Sequence, residues 1–139
     1  MQFLKSGDSS ELKVLRQLPE VTVFGTKPIK KFSFQMTEEE KAETREINRQ
    51  QFAEVLHMLT EDHYDMLVLD EVLGAIEAGL FDEQVVTDFL KNRPEQLEVV
   101  MTGRYPSEEL VELADYVSRI DKVKHPFDKG IGARAGIEG

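Results

Sequence analysis

Two adjacent carboxylates, Asp70 and Glu71, stand directly after the unbroken apolar run Met66-Leu67-Val68-Leu69. A run of that length suits a strand buried on both faces. Acidic residues where such a strand ends are the pattern of the Mg²⁺-holding carboxylates of phosphate-binding α/β proteins. Mg²⁺ takes oxygen ligands, and the carboxyl end of a strand projects them into the crevice where ligands bind. Neighbouring strand residues point to opposite faces. One acid can therefore meet a metal directly while the other acts through water or orients a base. The competing interpretation is an ordinary buried strand followed by a polar loop.

Thr102-Gly103-Arg104 follows a second apolar run, Val99-Val100-Met101, in the same way, and should open at the same end of the sheet. Glycine there allows close backbone approach to a ligand, and arginine's fork suits phosphate or carboxylate. The alternative is a plain strand-to-helix turn with an exposed arginine. Phe32 and Phe34 lie two apart among Lys27, Lys30 and Lys31. They either plug the core beneath a loop or form an aromatic wall for a large flat ligand. His57 and His63 read as helix or helix-end residues, and no histidine is assigned as a ligand from its spacing. Nor is any residue assigned as a general acid or base.

The elements that must position these groups alternate. Met1-Gln2-Phe3-Leu4-Lys5 reads as a short strand. Ser10 is a candidate cap for a helix over 11–18, and Val21-Thr22-Val23-Phe24-Gly25 reads as another strand. The stretch 26–35 has no clean period and contains Pro28, so a loop is expected there. Thr37 with Glu40 forms a capping box for a helix running to about Leu59, whose apolar stripe is Phe52, Val55, Leu56 and Leu59. A short helix over 71–79 should stop at Gly79. Asp82 caps the next helix, which ends near Asn92 before Pro94, and Phe81 can staple onto Val86. A strand over 98–102, a helix over 108–114 capped by Ser107, and a final strand over 116–120 complete the series. Strands alternating with helices predict an α/β fold with a mainly parallel sheet covered on both faces.

The 139 residues suffice for one domain with one core. Basic residues number 17 against 27 acidic ones, a net charge of −10, which argues against nucleic acid or an anionic membrane as the main partner. Cysteine is absent, which excludes disulfides, thiolate metal sites and a cysteine nucleophile. No run approaches the roughly 20 apolar residues of a membrane-spanning helix. A cytoplasmic location is expected.

The ordered pieces resemble the ATP:corrinoid adenosyltransferase family built on a RecA-like P-loop fold. Those pieces are Gln2-Phe3-Leu4-Lys5, Phe32-Ser33-Phe34, Asp65 to Val72, Leu90-Lys91-Asn92-Arg93-Pro94, Val99 to Arg104, Glu109 to Asp115, and Val123-Lys124-His125-Pro126-Phe127-Asp128-Lys129-Gly130, with Gly136-Ile137-Glu138 behind. The series covers almost the whole chain in order.

The resemblance implies a three-layer RecA-like fold within the single domain 1–139. It also implies transfer of the 5′-deoxyadenosyl group from ATP to the cobalt of a corrinoid, in which reduced cobalt attacks the ribose C5′ and triphosphate leaves. By resemblance, Asp70 and Glu71 serve the Mg²⁺ of the ATP, and Thr102 and Arg104 lie on the nucleotide side. Phe32 and Phe34 pack against the corrinoid and displace its lower cobalt ligand. A homodimer and a flavoprotein reductant are implied partners.

Three departures accompany these matches. Phe34 stands where well-known members carry Trp. Leu73-Gly74 replaces a more polar pair. No Gly-x-x-x-x-Gly-Lys-Ser/Thr loop occurs in the 139 residues, although a triphosphate site of this fold needs its backbone N–H groups and lysine. The expectation is a fold truncated at its N-terminus, without the first strand, P-loop and first helix, and with little transferase activity. The alternatives are a catalytically inactive corrinoid-binding or dimerisation module, and an unrelated RecA-like ATPase fragment.

Overall fold

A computed structural model describes residues 1–4, 9–24, 33–134 and 136–137. At its centre two parallel strands pair, β1 (Met66–Leu69) and β2 (Glu98–Met101), with Leu67 beside Val99 and Leu69 beside Met101. The start of the chain lies along the other side of β1. Gln2 bridges Asp70 in parallel: the Asp70 N–H donates to Met1 O at 2.9 Å, and the Phe3 N–H donates to Asp70 O at 2.8 Å. Beyond it, the Gln2 N–H donates to Phe24 O at 3.2 Å. Among the described residues only that one bridge forms here, so the expected strand at 1–5 is shorter than its pattern, and 21–24 does not form a strand. Lys5 and Gly25 lie outside the described residues.

The helices follow their chemical signals. Helix α1 (Ser10–Leu15) begins one residue earlier than expected. Its N-cap is Ser9 rather than Ser10, without a side-chain capping bond. Helix α2 (Glu38–Glu61) carries the expected capping box, with Thr37 Oγ1 accepting from the Glu40 N–H and Glu40 accepting from the Thr37 N–H. Helix α3 (Val72–Glu77) ends before Gly79, whose φ of 70° only glycine adopts cheaply. Helix α4 (Glu83–Asn92) is capped by Asp82, and α5 (Glu108–Leu113) by Ser107. Of the predicted loop, residues 26–32 lie outside the described residues, and Ser33–Gln35 forms a 3₁₀ turn.

The core sits on one face of the sheet. Leu67 and Leu69 point into a cluster with Phe52 and Val55 of α2, Val72 and Ala75 of α3, and Val86 of α4. Phe81 anchors it, its ring 5.1 Å from that of Phe3 and 5.3 Å from that of Phe52. Two donors fasten α2 to the turn after α3: Arg45 Nε reaches Gly79 O, and the buried Asn48 Nδ2 reaches Leu80 O, both at 2.8 Å.

The opposite face corrects the expectation of a strand buried on both sides. Met66 and Val68 remain 55% and 41% exposed, and Val100 40%. Among the described residues these three are not packed into the core, and Leu12 and Leu15 of α1 face Met66 and Val68 only across a crevice. The predicted strand over 116–120 is also overturned. That segment is irregular, and Tyr116 and Ile120 are almost fully exposed. Its alternating pattern suits a strand, but a strand needs a neighbour. Among the described residues, none hydrogen-bonds to the outer edge of β2 through its backbone.

Candidate functional site

The carboxyl ends of three neighbouring segments meet in a polar row. The Gln2–Asp70 bridge continues the sheet on one side of β1, and Thr102 continues β2 on the other. Asp70 lies between them and both its oxygens are engaged. Oδ1 accepts from Thr102 Oγ1 at 2.8 Å, and Oδ2 accepts from Gln2 Nε2 at 3.0 Å. Thr102 Oγ1 also accepts the Glu71 N–H at 2.9 Å. One hydroxyl thus fixes the side chain of the first acid and the backbone of the second.

The chain then turns sharply. Glu71 has φ 61°, a left-handed conformation unusual for a side-chain-bearing residue, and its carbonyl accepts from the Ala75 N–H as α3 begins. The turn after β2 packs directly on that helix start. The Leu73 N–H donates to Thr102 O at 3.2 Å. Gly103 has φ 132°, and a Cβ there would stand 2.8 Å from Leu73 Cβ and 2.9 Å from Gly74 N. Glycine is therefore required by both dihedral and space. Gly74 leaves room of its own, since a Cβ would meet Leu4 Cδ1 at 3.0 Å and Glu71 Oε2 at 3.3 Å. The apolar Leu73-Gly74 pair thus serves the packing of the two turns.

A crevice of about 900 Å³ runs along β1, from His63 and Asp65 at its start to Asp70 at its end. Gln2, Glu11, Leu12 and the segment 19–24 help to wall it.

The sequence-predicted residues are only partly brought together. Asp70, Glu71 and Thr102 form one unit, with Gly103 beneath it. Arg104 follows on the exposed side of the turn. Phe34 is 80% exposed in the turn before α2, so it does not plug the core. Phe32 lies outside the described residues. His125 has a local structural role: its Nδ1 accepts the Phe127 N–H at 3.1 Å while Asp128 accepts the His125 N–H, capping the 3₁₀ turn Pro126–Lys129. His57 and His63 are exposed at α2 and just after it, as expected. Glu138, quoted in the resemblance, lies outside the described residues. Gln2 was not foreseen as part of the site. The available signal was an amide side chain inside an otherwise apolar run.

Hard oxygen donors at a strand end fit Mg²⁺, which is usually held by one or two carboxylates together with water and phosphate oxygens. Among the described residues no three His, Cys, Asp or Glu side chains gather into a cage. Asp70 and Glu71 are thus suited to a cation that arrives with its own phosphate and water ligands.

A parallel α/β sheet with acids and a Thr-Gly-Arg turn at adjacent strand ends has the layout in which open α/β sheets generally place their ligand crevice. The whole chain, residues 1–139, matches the family ATP:corrinoid adenosyltransferase BtuR/CobO/CobP, and the chain belongs to that family. It is 38% identical over 82 residues to a corrinoid adenosyltransferase of Sinorhizobium sp., covering 58% of this chain and 38% of the relative. To the corrinoid adenosyltransferase of Escherichia coli K12 it is 38% identical over 81 residues, covering 58% of this chain and 41% of the relative. The match to the corrinoid adenosyltransferase of Salmonella typhimurium is 37% over 81 residues, with the same coverage. These matches span about two fifths of the length of the relatives. Among the described residues no helix is long and apolar enough to cross a membrane.

Proposed function

We propose that the chain carries the metal side of a corrinoid adenosyltransferase site, where the 5′-deoxyadenosyl group of ATP passes to the cobalt of a corrinoid. The observation that carries this reading is the Asp70 carboxylate held by Thr102 at the carboxyl end of parallel strands, within a chain of this family. The parallel pairing of β1 and β2 supports the RecA-like form of the fold.

Asp70 and Glu71 would hold Mg²⁺, whose charge offsets that of the departing triphosphate when it is bound. Thr102 keeps Asp70 oriented and ties down the Glu71 backbone. Arg104, beyond the tight Gly103 turn, is available to phosphate oxygens. Phe34, standing out from the surface, offers a ring to the corrinoid, with Phe32 as its companion. A homodimer and a flavoprotein electron donor extend the same reading.

Without a phosphate-cradling Gly-Lys-Ser/Thr loop, these 139 residues hold MgATP weakly and transfer slowly by themselves. The second reading is a corrinoid-binding module without transfer, favoured by that sequence feature together with the outward-facing Phe34.

Calorimetric titration with MgATP and a corrinoid titration followed by visible absorbance test the two readings. A shift of the cobalt bands that Phe34→Ala removes supports a corrinoid site, and unchanged bands refute both readings. Micromolar MgATP binding that Asp70→Ala abolishes would contradict weak nucleotide binding and favour the transferase over the module.

A further inference from the structure

We propose that Gln2 is a positioning residue for the Asp70 carboxylate. This rests on the reading of Asp70 as a metal-binding acid. Gln2 is 5% exposed, and its side-chain amide is fully engaged. Nε2 donates to Asp70 Oδ2 and to Glu11 Oε1, each at 3.0 Å, while Oε1 accepts from Ser9 Oγ at 3.2 Å. A primary amide has two N–H donors, and both point at carboxylates. The reverse orientation would set Oε1 against two anions, so the pattern of charges fixes which end of the amide faces Asp70.

The consequence for Asp70 follows from its two oxygens. Thr102 grips one and Gln2 the other, from opposite sides of β1. The terminal torsion of a carboxylate has only broad preferences of its own, so a donor on each oxygen restrains it more than a donor on one. Together they fix its plane. Gln2 also separates Asp70 from Glu11 with a neutral double donor. A third carboxylate at this position would add repulsion instead. Partners of this kind commonly set metal affinity without touching the metal.

The test uses the 139-residue chain with Mn²⁺ alone as the probe, read by paramagnetic broadening of the Asp70 and Glu71 amide signals. Gln2→Met keeps length and apolar packing but removes both donors. It should weaken Mn²⁺ binding by about 10- to 100-fold. Ser9→Ala, at a half-exposed position, removes the hydrogen bond that anchors the amide oxygen and should cost several-fold. It serves if Gln2→Met does not fold.

If Asp70→Asn abolishes the broadening while the Gln2 and Ser9 variants bind within twofold of the unmodified chain, the positioning role fails and the metal reading stands. If the unmodified chain shows no broadening at these amides, or if Asp70→Asn leaves it intact, the metal reading fails and takes the proposal with it.

Discussion

Replacing Gly103 with alanine probes how tightly the two strand-end turns are locked together. The backbone at φ 132° lies outside the ordinary range of a residue with a Cβ. Holding alanine in such a region costs about 1–3 kcal/mol. The new methyl group would also stand 2.8 Å from Leu73 Cβ and 2.9 Å from Gly74 N. Neither is the tip of a flexible side chain, so the start of α3 or the turn after β2 must move. Overpacking of this sort adds about 1–3 kcal/mol. The expected loss is therefore about 2–6 kcal/mol, against a total of about 5–15 kcal/mol for a typical domain. Urea unfolding followed by circular dichroism measures it. With a slope of about 1–3 kcal/mol per molar urea, the midpoint should fall by at least about 0.7 M. Gly132→Ala is the control, because a Cβ there meets nothing within 4 Å, and its midpoint should not change. A Gly103→Ala midpoint within about 0.3 M of the unmodified chain would show that the turns rearrange freely, and the argument that Gly103 couples Thr102 to α3 would fail.

Two further perturbations address α2. Asn48→Ala removes the buried donor to Leu80 O and should cost about 1–3 kcal/mol, the cost of leaving such a carbonyl unpaired; equal stability in urea would indicate that the α2–α3 fastening is not formed in solution. Glu46 is drawn down to about 2, first by the hydrogen bond from Arg49 and then by that from Gln50. Its folded value lies below the unfolded one, so its contribution is complete above about pH 4.5 and fades as pH falls towards 2. The stability difference between the unmodified chain and Glu46→Gln should shrink over that window and be small at any pH, since the pair is exposed. A difference that grows on acidification would contradict this.

How far the sequence carried the structure depends on how local each signal was. The Thr37–Glu40 box, the Asp82 and Ser107 caps and the Gly79 stop were all readable, because each depends on neighbours within a few residues. The acids after the apolar run were readable too, and β1 does pair in parallel with the strand before Thr102-Gly103-Arg104. What failed depended on distant partners. Tyr116-Val117-Ser118-Arg119-Ile120 has strand composition, yet strand formation is a property of a pair, and no neighbour lies beside it among the described residues. Met66 and Val68 were expected to be buried because the run is apolar throughout. The alternation of exposure along β1 shows that only one of its faces meets a packed helix layer. Gln2 was overlooked because nothing within its own segment shows that position 2 lies beside position 70.

The same dependence on distance explains why the site is more specific than its residues. Asp70 and Glu71 alone are a common pair at a strand end. Their setting comes from three separate stretches of chain: Gln2 at one side of β1, Thr102 at the other, and Gly103 beneath the first turn of α3. Parallel pairing is what brings these together, because it places the carboxyl ends of successive strands side by side. A shift of β2 by one residue against β1 would turn Thr102 to the opposite face. Asp70 would lose its hydroxyl donor and the Glu71 N–H its acceptor. The register that aligns Leu69 with Met101 is therefore also what orients the acids, and packing of Leu69 in the core stabilises the geometry of the site one residue further on.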